Sequence, residues 1–399
     1  MKKRERLSKS MLFFVFFIVP LWLAPRSEAV EINDIGGRAD GTGDISAVLQ
    51  TAFAKGVRDV HFPKGEYCIG SMLLLPSGTK LLADKEARFV VKAGYAHEWV
   101  VSNADHENGN ADITIEGGLW DGNCDERPGK TFSPDEKHAG LFFHFNNVRR
   151  LTLKNFHAYD SVTYHFSLGR VTDFEITNLR IGGERRPFCQ DGIHMGGGCE
   201  RGHVKGIVAH TGGMGDDLIA LNADDVFFYA WNRDQVALPI RDITVENVTA
   251  TNCFTVIRLL SVHQPIERCT FRNFTASYRM HGLNLDAARY CAHPIFKDGE
   301  HPNGVGNLKD ITFENFEIWG ATAGKREVVT YETNGDNVRF RNFRYRRDLD
   351  PNKERAVFLF RKMGPTEILR EGEKKILANG ETLKLSDTFY GDLRISQAN

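Results

Sequence analysis

The chain has no surplus of charge. Its 399 residues carry 51 Lys+Arg against 52 Asp+Glu, a formal net charge of −1. Recognition of duplex nucleic acid draws on a concentrated positive field, so no nucleic-acid partner is expected. The chain also lacks a second long apolar run. The first, Met11 to Ala24, follows a basic stretch (Lys2, Lys3, Arg4, Arg6, Lys9) and leads into Ser27-Glu28-Ala29, a small-x-small site. That order predicts a secretory signal peptide over residues 1–29, and the run is short of the roughly 20 residues of a membrane helix, an uncleaved anchor being the alternative. The chain is therefore expected to be secreted or periplasmic, free of the membrane after cleavage, and monomeric. Cleavage would remove six of the 51 Lys+Arg and two of the 52 Asp+Glu, leaving a mildly acidic 45 against 50. A regular cysteine framework is missing as well. The seven cysteines are odd in number and irregular in spacing, and read as small core residues more than as a disulfide scaffold. Cys189 and Cys199 are the pair that would test the alternative.

What the chain does have is a repeat. The pattern apolar-x-apolar-x-Asn-apolar occurs at Leu151–Phe156, Phe174–Leu179, Ile243–Val248, Cys269–Phe274, Ile311–Phe316 and Val338–Phe343, with Ile113–Gly117 an early copy bearing Gly for Asn. Its asparagines, 155, 178, 247, 273, 315 and 342, have clean intervals of 23, 26 and 27 residues, while 69 and 42 hold an extra repeat or an insertion. Period-2 alternation in units of this size, punctuated by Gly and Asn, predicts an all-β fold, a right-handed parallel β-helix. Coils stack at about 4.8 Å, and Asn at an equivalent corner forms a ladder of side-chain amides. Solenoid ends need caps. Thr42-Gly43-Asp44 begins a short capping helix, Ile45 to Lys55, with Ile45, Val48, Leu49, Ala52 and Phe53 on one face. Residues 30–110 then form the N-terminal cap and first coils, 111–350 the functional solenoid, and 351–399 a C-terminal cap or tail.

Two acidic clusters lie one repeat apart, Gln190-Asp191-Gly192-Ile193-His194 and Gly215-Asp216-Asp217-Leu218-Ile219. Three carboxylates crowding one surface is electrostatically unfavourable, and sugar chemistry or cation binding are the usual reasons for it. Alternation aligns Tyr164-His165-Phe166, Ile193-His194-Met195, Ile219-Ala220-Leu221, Ile257-Arg258-Leu259 and Leu283-Asn284-Leu285. His165, His194, Arg258 and Asn284 then form an outward row on which an extended polymer would lie. Asp191 and Asp217 are placed at the corner before the strand, where alternation does not yet apply. His165, His194, Arg258, His281 and Asn222 are the candidate substrate contacts.

These features together resemble family 28 glycoside hydrolases, the polygalacturonase group of the pectate-lyase-like β-helix superfamily, over most of the mature chain. The family's Asn-Thr-Asp-Gly element appears as Cys189-Gln190-Asp191-Gly192, and its Gly-Asp-Asp-Cys-Ile-Ala element as Gly215-Asp216-Asp217-Leu218-Ile219-Ala220. The resemblance implies inverting hydrolysis of a pectin-like or other uronate-containing polysaccharide. Asp216 would be the general acid, and Asp191 and Asp217 would hold the attacking water, with no metal or other cofactor. The family's Gly-His-Gly and Arg-Ile-Lys elements are absent. Thr255-Val256-Ile257-Arg258-Leu259 stands on that coil, with Arg258 as the substitute basic contact and His281-Gly282-Leu283 a late echo of His-Gly. Two rivals remain: a Ca²⁺-dependent polysaccharide lyase with Arg258 as base, and a non-catalytic carbohydrate-binding β-helix. Action from a chain end would require one end of the groove to be blocked; the insertions 222–239 and 286–307 are the segments that could do so, and the sequence leaves their direction, and endo against exo action, open.

Overall fold

The computed structural model describes residues 29–129, 138–185, 189–209, 214–224, 230–287, 305–361, 382–385 and 393–395. The expected signal segment and most of 286–307 and 351–399 lie outside them. Within them the chain is a parallel β-helix. One column of core positions runs in register through Phe143, Phe166, Ile193, Ile219, Ile257, Leu283, Val329 and Phe358, each on a successive coil. Stacking thus continues past position 350, and antiparallel pairing occurs, among the described residues, at Thr382–Leu385 and Leu393–Ile395.

In-register stacking sets like beside like. Phe271, Phe313 and Phe340 stack with ring centroids 5.2 and 5.0 Å apart, and Phe274, Phe316 and Phe343 with 4.6 and 5.4 Å. The repeated asparagines form a second column. Asn155, Asn178, Asn247, Asn273, Asn315 and Asn342 all have φ between 44° and 61°, a left-handed bend that Asn tolerates. Their amides link coil to coil: Asn178 donates to Asn155 (3.1 Å), Asn273 to Asn247 (2.9 Å), Asn315 to Asn273 (3.0 Å) and Asn342 to Asn315 (2.9 Å). Gly206, at φ +70°, takes the missing place between Asn178 and Asn247.

A third column precedes each repeat. It reads Asp112, Arg150, Asp173, Arg201, Asp242, Arg268, Asp310, Asn337, all with φ between 52° and 61°. Alternating sign lets Asp112, Asp173 and Asp242 each meet an arginine on the next coil, as in Arg201–Asp173 (2.6 Å) and Arg268–Asp242 (2.7 Å). These pairs are half exposed and add little to stability; what they avoid is a column of one charge.

Helix α1 (Ile45–Ala54) begins where Asp44 accepts from the Ser46 amide (2.9 Å) and buries Ile45, Leu49 and Phe53 against the first coils. Cys199, Cys253 and Cys269 are buried free thiols, pushed up to about 12 by burial, and pack as core. Among the described residues no helix is long and apolar enough to cross a membrane.

Near the C-terminal end Asp350 and Arg355 form a buried pair, 0% and 2% exposed, with Arg355 Nε 2.8 Å from Asp350 Oδ2. Asp350 also accepts from the amides of Gly320 and Asn352, and Arg355 donates to the carbonyls of Thr322 and Arg326. Removing one partner of a buried pair strands the other's charge and costs about 3–5 kcal/mol. Arg355→Met should lower the melting temperature by about 5–10 °C, and a change of less than about 1 °C in a thermal scan would contradict this role.

Candidate active site

Asp191 and Asp217 stand two residues ahead of Ile193 and Ile219, on neighbouring coils; Thr255 and His281 hold the same place on the next two. The Gly192 amide donates to the Asp217 carbonyl (2.9 Å), and the Asp217 amide to Asp191 Oδ1 (3.3 Å). Gly192 is required there, because a Cβ would lie 2.4 Å from the Leu218 carbonyl oxygen and push the coils apart. Asp216 is held by its amide to the Gln190 carbonyl (3.1 Å), and Gln190 is fixed through Nε2 to the Ser161 carbonyl (2.8 Å).

The three carboxylates therefore meet: one oxygen from each lies within 4.8 Å of the other two. Asp191 and Asp217 are buried, while Asp216 is half-buried and the most accessible of the three. Burial, and then the charge of Asp191, push the Asp217 carboxyl up to about 7, against the lowering pull of Arg258, the Thr255 hydroxyl and His194. Two carboxylates this close do not both ionise readily, so the pair retains a proton well above the usual carboxylate range.

His194 is 1% exposed; its Nδ1 lies 2.8 Å from Asp191 Oδ2, and its ring stacks on Tyr164 at 4.4 Å. It orients Asp191. Arg258 places Nη1 3.7 Å from Asp217 Oδ2 and Nη2 3.4 Å from Asp286 Oδ2, so it bridges the cluster to a second buried acid. The three acids have the donor set of a cation site, but this guanidinium opposes a cation there.

The structure corrects the row inferred for His165. The residue in register with His194 is Ser167, so Phe166-Ser167-Leu168, and not Tyr164-His165-Phe166, is the aligned triplet. Both triplets alternate apolar-x-apolar, and a two-residue slip preserves the pattern. His165 is fully buried, holds the Asp191 carbonyl through Nδ1 (3.0 Å), and is pushed down to about 4 by burial. His281 is buried against Thr330 Oγ1 (3.2 Å), two coils beyond Asp217. Asn222 lies five residues further along the strand from Asp217, about 16 Å away at the usual rise. Neither is brought to the cluster. The sequence reading gave no role to Asp286, Thr255 or Tyr164. Asp286 closes the run Leu283-Asn284-Leu285 and is visible only once the register is known.

No protein-family profile matches the chain. It is 34% identical over 119 residues to the putative phage-related protein YobO of Bacillus subtilis, covering 28% of this chain and 14% of that protein. It is 25% identical over 229 residues to a polygalacturonase of Persea americana (51% and 46% of the two chains). To a probable rhamnogalacturonase C of Aspergillus flavus it is 22% identical over 339 residues (80% and 64%). The chain thus spans less than two thirds of the length of each. Among solved structures, a family 28 exopolygalacturonase of Yersinia enterocolitica superposes with a TM-score of 0.58 at 16% identity, covering 80% and 71%. The surface adhesin PfbA of Streptococcus pneumoniae gives 0.54 at 14%, covering 80% and 90%. A hydrolase and an adhesin share this architecture, so activity must be argued from the site. The solved structures show the fold, a parallel β-helix, and in sequence the chain is similar to a polygalacturonase and a probable rhamnogalacturonase.

Proposed function

We propose that the chain is a glycoside hydrolase that cleaves a pectin-like, uronate-containing polysaccharide. The observation that supports this is the convergence of Asp191, Asp216 and Asp217 within 4.8 Å, with a proton retained among them. The proton held by the cluster passes through Asp216, the most accessible of the three, to the glycosidic oxygen as the bond to the anomeric carbon breaks, which leaves the Asp191–Asp217 pair ionised. A water held by Asp191 and Asp217 adds its oxygen to that carbon, and its proton passes to the pair. Attack from the face opposite Asp216 inverts the anomeric centre. The cluster is tighter than the about 6.5–9.5 Å that separates acid from base when water sits between two carboxyls, so the water is held at the edge of the Asp191–Asp217 pair. Arg258 supplies positive charge toward a sugar carboxylate. The N-terminal basic and apolar run favours work outside the cytoplasm.

Reducing-end release from a panel of pectic and other polysaccharides tests this. Asp216→Asn should lower kcat/KM by about 10²–10⁴ with an unchanged melting curve, and chelator should leave the wild type unaffected. Chelator-sensitive release of an ultraviolet-absorbing product would instead establish the lyase. Polysaccharide binding without turnover would establish a non-catalytic β-helix.

The raised Asp217 carboxyl has a second consequence. Its folded-state value lies above the unfolded one, so its contribution to stability is full below the ordinary carboxylate range and is lost as pH rises toward about 7. Asp217→Asn removes that loss. Its melting temperature relative to wild type should rise by several degrees between about pH 4 and pH 8; a difference independent of pH would show that the pair holds no shared proton.

A further inference from the structure

Residues 231–235, which follow the strand Asp217–Asn222 in the chain, lie over the coils that precede the acidic cluster. Trp231, 3% exposed, packs on Leu141 and Tyr164. Arg233 pairs with Glu98. Asp234 Oδ2 lies 2.9 Å from His106 Nδ1 and 3.5 Å from His144 Nε2, while its carbonyl accepts from Asn146 Nδ2 (2.9 Å). Gln235 donates to Ser167 Oγ (3.4 Å) and rests on the backbone of the His194 strand, where a Cβ on Gly196 would come within 1.7 Å of its Oε1.

These contacts cross the sheet from its Asn222 edge to the Tyr164 side. The outward row beneath them is closed: Ser102, His144, Ser167 and His194 are at most 2% exposed. A polymer threading the groove would need that row open over several coils. Tyr164 holds, on the preceding coil, the place that Asp191 holds on its own, and Trp231 covers it. Gln235 lies on Gly196 of the coil that carries Asp191, so the wall closes the groove directly beside the carboxylates on that side.

We infer that the site takes the end of a chain, stopped by the wall beside the carboxylates, and releases a short product of fixed length. This rests on the hydrolase reading above. The anchors of the wall are mutually reinforcing. His106 and His144 hold the Asp234 carboxyl well below its ordinary range, so it remains an anion at the pH of the reaction. Ser102 Oγ and Ser167 Oγ engage the other nitrogen of each ring at 2.9 and 3.1 Å, so the rings themselves are fixed.

The test is the order of appearance of products from polygalacturonate, and from any other uronate polymer the protein cleaves, together with a linear oligomer of defined length. One short product of fixed length and the oligomer shortened by that length should appear first, and viscosity should lag far behind reducing-end release. Early oligomers of all sizes with a collapse in viscosity would overturn the inference and leave the hydrolase standing. No cleavage of any polymer or oligomer would overturn the hydrolase reading, and this inference with it. A variant with residues 231–235 replaced by glycine and serine, checked by its melting transition, should shift the first products to longer fragments. A folded variant that still releases the same short product first would overturn the wall's role.

Discussion

Coil stacks on coil in register, and every side chain must therefore tolerate its counterpart one coil away. Each column answers that demand differently. Phenylalanines stack face to face, asparagines exchange amide hydrogen bonds, and acids alternate with arginines. Acid is set directly against acid at Asp286 and Glu332, where Arg258 pairs with Asp286, and at the place two residues ahead of the core column, where Asp191 lies against Asp217. In the second, Asp216 adds a third carboxylate. That crowding holds a proton where ordinary carboxylates would have none.

The scaffold was legible because its punctuation has a local cause. An Asn in the left-handed bend turns the chain at the same place in six coils, so the pattern recurs in the sequence, and Gly117 and Gly206 take that place in two others. The acid pair was legible for a related reason. Asp191-Gly192 needs a glycine to let the Leu218 carbonyl approach, which leaves a short motif. Register was less secure. Around His165 two frames two residues apart both alternate, and the hydrogen bond from the His165 amide to the Asp191 carbonyl is what separates them. The charge-alternating column lies one residue outside the apolar repeat, and its regularity emerges only across coils.

Long-range contacts left no local trace. Trp231 and Tyr164 are far apart in the chain, and an aromatic insertion with no period of its own does not reveal where it lands. Nor does Arg258 announce that its guanidinium is divided between Asp217 and the buried Asp286. That arrangement bears on the chemistry: a fixed positive charge beside the acids disfavours a calcium ion among them.

The most direct measurement is early-time NMR of the product formed in ¹⁸O-enriched water from a cleaved uronate substrate. Hydrolysis by water held against Asp191 and Asp217 predicts ¹⁸O at the new anomeric carbon, in the configuration opposite to that of the bond broken. An unsaturated product without ¹⁸O would contradict the hydrolysis, and a labelled product of retained configuration would contradict the placement of the water.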